Sequence, residues 1–252
     1  MTATSKIAFI TGGNRGIGLE TARGLGQQGI TVLIGSRDSA KGQAAAEKLR
    51  KEGIASAESV KFDVSIPGDH AVVAEFLQKR FGRLDILVNN AGVMLEEAEF
   101  GAPGGFNTTA SVTDDELRKT FETNFFAVVS LTQKLLPLLR KSSAGRIVNL
   151  SSILGSLTLH ADPKSPIYSG KAFAYDASKT ALNAFTVHLA AALKDTSIKV
   201  NSAHPGWVKT DMGGPGAQLE ISEGGKTSVQ LATLPAEGPT GGFFHLGQPL
   251  PW

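Results

Sequence analysis

The stretch Ile7-Ala8-Phe9-Ile10-Thr11-Gly12-Gly13-Asn14-Arg15-Gly16-Ile17-Gly18 decides the fold. Ile7 to Thr11 is short and apolar, the signature of a strand covered on both faces. A glycine-rich turn follows at once, and a helical pattern begins at Gly16. Glycine permits positive φ and close backbone approach, so a diphosphate can reach the free N–H groups of a helix that starts here. The glycines at 12, 16 and 18 do not follow the G-x-G-x-x-G spacing of the common dinucleotide fingerprint, and a plain tight turn is the alternative. Their place between the first strand and the first helix favours the phosphate loop.

The same alternation runs outward along the chain. Thr31 to Gly35, Val60 to Phe62, Ile86 to Asn89, Ile147 to Leu150 and Ile198 to Ala203 read as further strands. Gly16 to Gln28, Ala40 to Lys51, Asp69 to Phe81, Asp114 to Arg140 and Asp176 to Lys194 read as helices between them. Asp38 and Thr113 are candidate N-caps, Thr113 with Glu116 as a capping box. Pro137 is expected to kink or end the long central helix. The order predicts an α/β fold, a single-domain doubly wound parallel sheet of Rossmann type with helices on both faces, spanning residues 1–252. Its ligand crevice lies at the carboxyl ends of the strands, where three irregular stretches, 93–111, 152–174 and 210–234, should crowd together.

Composition narrows the chemistry. The 252 residues contain no cysteine, which excludes disulfides, cysteine-ligated zinc and a thiol nucleophile. Five scattered histidines without a His-x-x-x-His pair predict no metal site. With 25 Lys+Arg against 23 Asp+Glu the net charge is +2, and no basic cluster suggests nucleic acid or an anionic membrane as partner. No apolar run approaches the roughly 18 residues of a membrane span, and the first residues lack the order of a signal peptide. The expectation is a cytoplasmic protein. The 29 glycines exceed the roughly 18 expected for this length, and many fall in the phosphate loop and the irregular stretches.

The second strand ends at Ile34-Gly35-Ser36-Arg37-Asp38, where NAD-binding chains place an acidic residue on the adenosine ribose. Here Arg37 follows the strand and Arg15 projects from the glycine loop. Two guanidinium groups converging on one pocket suit the 2′-phosphate of NADP(H). The alternative is a pair of solvated surface arginines, with Asp38 pairing with Arg37 or capping the next helix.

The fifth strand ends at Ser151-Ser152, and Tyr175-Asp176-Ala177-Ser178-Lys179 opens a helical run. Positions i and i+4 share a helix face, so the Lys179 ammonium can approach the Tyr175 phenol. A phenol ordinarily titrates near 10, and a fixed cation is expected to lower that value and let the pair exchange protons with an alcohol or carbonyl. Tyr-x-x-x-Lys alone is common on solvated helices; its order after the phosphate loop and the strand-end serine gives it meaning.

Together, Thr11 to Gly18, Asn89-Asn90-Ala91-Gly92, Asn124, Ser152, Tyr175 with Lys179, and Pro205-Gly206 resemble the short-chain dehydrogenase/reductase family over nearly the whole chain. Ser36 to Gln43 and His204 to Met212 look like its NADPH-dependent carbonyl reductase branch. The resemblance implies that Tyr175 is the general acid in reduction, that Lys179 binds the nicotinamide ribose and tunes Tyr175, and that Ser152 orients the substrate oxygen. Asn124 would hold a water that links Lys179 to solvent. Gly12, Asn14, Arg15, Gly16, Ile17 and Gly18 would cradle the diphosphate and Arg37 the adenosine phosphate. Asp63 and Val64 would border the adenine, Asn90, Ala91 and Gly92 the adenosine ribose and central cofactor, and Pro205, Gly206, Val208 and Thr210 the nicotinamide end. The plain alternatives are a helix cap for Asp63 and a turn for Asn89 to Gly92.

One departure stands out. The family commonly spaces its serine and tyrosine by about a dozen residues, whereas 23 separate Ser152 from Tyr175. Tyr168 lies nearer the usual interval, but the residue four positions on is Ala172, so Tyr175 is the choice. The carbonyl reductase branch carries an insertion here, which covers a common dimer surface and favours a monomer. Trp207, Met212, Val93, Met94 and Leu154 are expected pocket walls, ordinary core packing being the alternative. The glycines from Gly213 to Gly216 suggest a hinge for a substrate lid within 210–234. The expected activity is reversible reduction of a small-molecule ketone or aldehyde with NADPH/NADP+. Reduction of an activated carbon–carbon double bond, oxidation of a sugar or steroid alcohol, and a non-enzymatic NADP(H) sensor are the alternatives.

Overall fold

The structure is a computed structural model describing residues 5–96, 105–214 and 216–252. Gly101, Pro103 and Gly104 of the expected 93–111 loop, and Pro215 of the expected hinge, lie outside the described residues. The chain runs β1 (Ile7–Thr11), α1 (Gly16–Gly26), β2 (Thr31–Ser36), α2 (Ser39–Lys51), β3 (Glu58–Lys61), α3 (Pro67–Phe81) and β4 (Ile86–Asn89). There follow β5 (Phe106–Asn107), α4 (Asp114–Phe121), a π-helical turn (Glu122–Phe126), α5 (Ala127–Leu139), β6 (Arg146–Leu150) and α6 (Leu157–Ala161). The remainder is β7 (Gly170–Lys171), α7 (Phe173–Ala192), β8 (Lys199–Ala203), α8 (Ile221–Gly224), α9 (Lys226–Ala232), β9 (Phe243–His245) and β10 (Gln248–Pro249).

The main sheet has the order β10-β9-β8-β6-β4-β1-β2-β3, parallel except for β10. Alternation along β1 serves two cores. Ala8 and Ile10 pack with Val32, Ile34 and Val88 against Leu25 of α1, Leu49 of α2 and Leu231 of α9. Phe9 packs with Leu33, Leu87 and Val200 against Leu77 of α3, Leu131 of α5 and Ala190 of α7. All carboxyl ends of the parallel strands therefore meet at one edge, as the order of elements predicts.

Thr113 forms the expected capping box with Glu116, and the Asp38 side chain caps α2 through the Lys41 amide at 3.0 Å. Three expectations are corrected. The central helix is not continuous from Asp114 to Arg140, because the π-helical turn interrupts it; Pro137 lies inside α5, which ends two residues later. The helix expected from Asp176 begins at Phe173. The 93–111 and 152–174 stretches are not wholly irregular, since Phe106↔Gly170 and Asn107↔Lys171 pair as a two-stranded parallel sheet. The strands β9 and β10 were not anticipated, because Phe243 to Pro249 is too short and too rich in glycine and proline to show a period.

Candidate active site

A crevice of about 1220 Å³ opens at the carboxyl ends of the strands. Gly12, Asn14, Arg15, Gly16, Ile17 and Gly18 line one end, with Arg37 beside them. Asp63, Val64, Asn90, Ala91 and Gly92 line the middle, and Ser152, Tyr175, Lys179, Pro205, Gly206, Val208 and Thr210 the far end. Of the predicted site residues only Asn124 stands behind the wall. Val93, Met94, Leu154, Trp207 and Met212 all face the crevice as well.

The glycine loop is shaped as an anion cradle. Gly12 and Gly16 adopt φ of 63° and 54°, and a Cβ on Gly18 would stand 2.5 Å from Asn90 Nδ2 and 2.7 Å from the Gly12 carbonyl. Any side chain at Gly18 would thus break the contact that fixes the loop: Asn90 Nδ2 donates to the Thr11 carbonyl at 2.8 Å, while the Thr11 hydroxyl accepts from the Asn90 and Ala91 amides, each at 2.9 Å. No side chain caps α1, which leaves its first amides to an anion in the crevice. Arg37 and Lys41 line the crevice beside the glycine loop, and Arg15 pairs with Asp211. Asp38 caps α2 and lies 3.9 Å from Lys41 Nζ, while Arg37 makes no ion pair among the described residues. Lys41 was missed by sequence reading, although its place at the third position after the Asp38 cap is the signal that brings it back to the loop. These donors and cradle fit a dinucleotide bearing an extra phosphate.

Asp63 does not cap a helix; its carboxylate accepts from the Ser65 amide at 3.0 Å and hydroxyl at 2.7 Å, which holds the turn after β3. Thr210 donates its amide to the Val208 carbonyl at 2.7 Å. His204, also missed, accepts from the Ile153 amide at 3.2 Å, and burial beside His245 pushes it down to about 3, so it is neutral at ordinary pH.

Tyr175, Ser152 and Lys179 meet at the far end of the crevice. Ser152 lies close enough to the Tyr175 phenol to favour its ionised form, and its Oγ accepts from the Leu154 amide at 3.2 Å. Lys179 lies over the Tyr175 ring, 5.4 Å from its centroid, and donates to the Leu150 carbonyl at 2.8 Å. The expected lowering of the phenol is not what the geometry produces. Burial pushes Tyr175 above its ordinary range, Ser152 opposes this in part, and the Lys179 ammonium is committed to Leu150. Burial also depresses Lys179, to about 8. Tyr168 is 44% exposed, sits under Lys171 at 4.9 Å and lies outside the crevice wall.

Asn124 is carried by the π-helical turn and is fully buried. Its amide accepts from the Val93 N–H at 2.8 Å and donates to the Val93 carbonyl at 2.8 Å and to Ser178 Oγ at 3.0 Å. A Cβ on Gly92 would stand 3.3 Å from Asn124 Oδ1 and 3.5 Å from Lys179 Nζ, so the bare glycine keeps the space between them open. Two further residues escaped the sequence reading: Asp176 and His160, paired at 3.2 Å next to Tyr175. Burial raises Asp176, and Lys171 Nζ touches His160 Nδ1 at 2.9 Å from the other side.

Residues 6–218 match the short chain dehydrogenase family. The chain belongs to that family. It is 33% identical over 305 residues to (+)-neomenthol dehydrogenase of Capsicum annuum, covering 97% of this chain and 96% of the relative. It is 33% identical over 282 residues to carbonyl reductase (NADPH) 1 of Homo sapiens, covering 96% and 97%. Among solved structures it resembles an NADPH-bound carbonyl reductase from chicken fatty liver, with a TM-score of 0.80, 29% identity and coverage of 98% and 99%. Salutaridine reductase from Papaver somniferum is similar too, with a TM-score of 0.81, 30% identity and coverage of 95% and 99%. Among the described residues of this short-chain dehydrogenase, no helix is long and apolar enough to cross a membrane.

Proposed function

We propose that the protein is an NADPH-dependent reductase of small, apolar ketones or aldehydes. The observation that carries this reading is that Ser152, Tyr175 and Lys179, with Lys179 over the Tyr175 ring, line one crevice with the glycine loop and the Arg15, Arg37 and Lys41 cations. NADPH supplies a hydride when bound. Ser152 and Tyr175 donate hydrogen bonds to the carbonyl oxygen as negative charge grows on it, and Tyr175 then releases its proton to that oxygen. A phenol held above its ordinary range is fully protonated at neutral pH, which suits the reductive direction. Lys179 holds a nearby charge, and Lys179 Nζ and Asn124 Oδ1 both approach Gly92, which places them as the two groups along which the proton would be returned.

Substrate preference follows from the walls. Val93, Met94, Phe106, Ile153, Trp207 and Met212 present apolar surface around the Ser152–Tyr175 pair, and a neutral ketone buries more favourably there than a sugar. Leu231 and Ala232 are built into the core, so a lid within 210–234 would leave α9 in place. The test is NADPH consumption, followed by absorbance, across a panel of ketones, aldehydes, enones and, with NADP+, alcohols. Reduction of apolar ketones or aldehydes in preference to enones is expected. NADPH binding without consumption across the panel would refute the proposal in favour of a sensor.

A further inference from the structure

The helix that carries Tyr175 starts a turn earlier than its own sequence provides for. Its N-cap, Ala172, has no side chain able to cap it, yet the helix forms from Phe173. The first three amides are met from a distant part of the chain. Phe173 N–H donates to Thr108 Oγ1 at 2.9 Å, Ala174 N–H to Glu96 Oε1 at 2.9 Å and Tyr175 N–H to Glu96 Oε2 at 2.8 Å. The Thr108 hydroxyl in turn donates to Glu96 Oε1 at 2.6 Å, which turns its lone pair toward Phe173. Glu96 is 5% exposed, a buried carboxylate whose two oxygens are both engaged by donors.

We infer that Glu96 is a positioning residue for Tyr175, holding it in the first turn of α7 so that its phenol stays in register with Lys179. This rests on the reading of Tyr175 as the proton donor. First-turn amides have no partner within their own helix, and buried without one they carry a desolvation penalty. If Glu96 releases them, the 173–175 segment frays, the Asp176 N–H to Ala172 carbonyl bond at 2.8 Å is lost, and Tyr175 no longer stands one turn from Lys179 on the same face. A carboxylate also matches the positive end of the helix dipole. Glutamine cannot substitute: its NH2 group would face a backbone N–H or the Thr108 hydroxyl proton, donor against donor.

The experiment compares Glu96→Gln, equal in size, and Glu96→Ala with the unaltered protein. Three quantities are read: the dissociation constant for NADPH, kcat and KM for a carbonyl substrate, and amide hydrogen exchange resolved by peptide. The expected result is a fall in kcat of at least about tenfold, NADPH affinity within about twofold, and exchange at Ala174 and Tyr175 faster by about tenfold or more while α2 is unchanged. Unaltered exchange at those two amides overturns the inference. So does faster exchange spread evenly over the molecule, which marks general destabilisation, or faster local exchange with kcat preserved. If Glu96→Ala does not fold, Glu96→Gln decides the question. Failure of the unaltered protein to reduce any carbonyl refutes the functional reading instead, and the exchange data still report whether Glu96 holds the helix start.

Discussion

Replacing Lys179 with methionine should make the protein more stable while removing its turnover. Lys179 is 4% exposed, and burial depresses it from 10.5 to about 8. At about 1.4 kcal/mol for each pH unit, keeping that ammonium charged in the folded state costs about 3 kcal/mol. The lost bond to the Leu150 carbonyl offsets about 1 kcal/mol of the relief. The net gain of about 2 kcal/mol corresponds to a Tm increase of about 4–8 °C for a domain of this size. The pH dependence has a definite sign. Below about pH 8 the lysine is charged both folded and unfolded, so the whole penalty is present; it fades as pH rises from about 8 to 10.5 and is absent above 10.5. Thermal unfolding followed by circular dichroism, without added cofactor, at about pH 7, 9 and 10.5 reads this directly. The advantage of Lys179→Met should be largest at the lowest of these values and reversed at the highest, where only the lost hydrogen bond remains. A variant less stable than the parent near pH 7, or a difference that does not shrink across the alkaline range, would refute the reasoning.

Three further outcomes are expected. Tyr175→Phe should lower kcat by about a thousandfold or more with NADPH affinity kept, because it removes the transferred proton, whereas Tyr168→Phe, outside the crevice, should leave kcat within about twofold; the opposite pattern would move the acid to Tyr168. Arg37→Ala should raise the KM for NADPH by about tenfold or more and leave that for NADH unchanged, since only the extra phosphate needs the guanidinium; equal effects on both cofactors would place Arg37 elsewhere. Asn149→Ala should cost about 2 kcal/mol, or about 4–8 °C in Tm, because it removes two buried hydrogen bonds, from Asn89 at 2.8 Å and to Thr186 at 2.8 Å, while Asn89 keeps Thr132 and Thr186 keeps the Leu182 carbonyl and Ser202. Calorimetry would measure it.

What could be read in the sequence was local. The apolar run of β1 and the glycines after it announce a parallel strand entering a phosphate loop, and Thr113 with Glu116 announces a helix start, because each signal lies within a few residues. The convergence of the candidate residues on one crevice was legible for the same reason: strand ends locate the crevice, and Tyr175 with Lys179 satisfies a helical interval. What escaped was determined across distance. Nothing near Ala172 tells of a helix start, since its cap comes from Glu96 and Thr108. The Phe106–Asn107 strand exists only because Gly170–Lys171 lies beside it. The state of Tyr175 was not legible because burial, which sequence does not display, pushes the phenol up.

The pairing of Phe106–Asn107 with Gly170–Lys171 also bears on how such a protein changes its diet. The two loops that enclose the substrate end are stitched together by two residue pairs, and a Cβ on Gly105 would come within 2.1 Å of the Ser169 carbonyl. Neither loop owns its conformation, so they are inherited as a couple. Grafting one of them from a relative with another substrate leaves the other without its partner and disturbs the Thr108 contact at the start of α7. Exchanging both at once is the move that preserves the chamber, and drift in substrate preference within the lineage would proceed by matched changes on both sides of the seam.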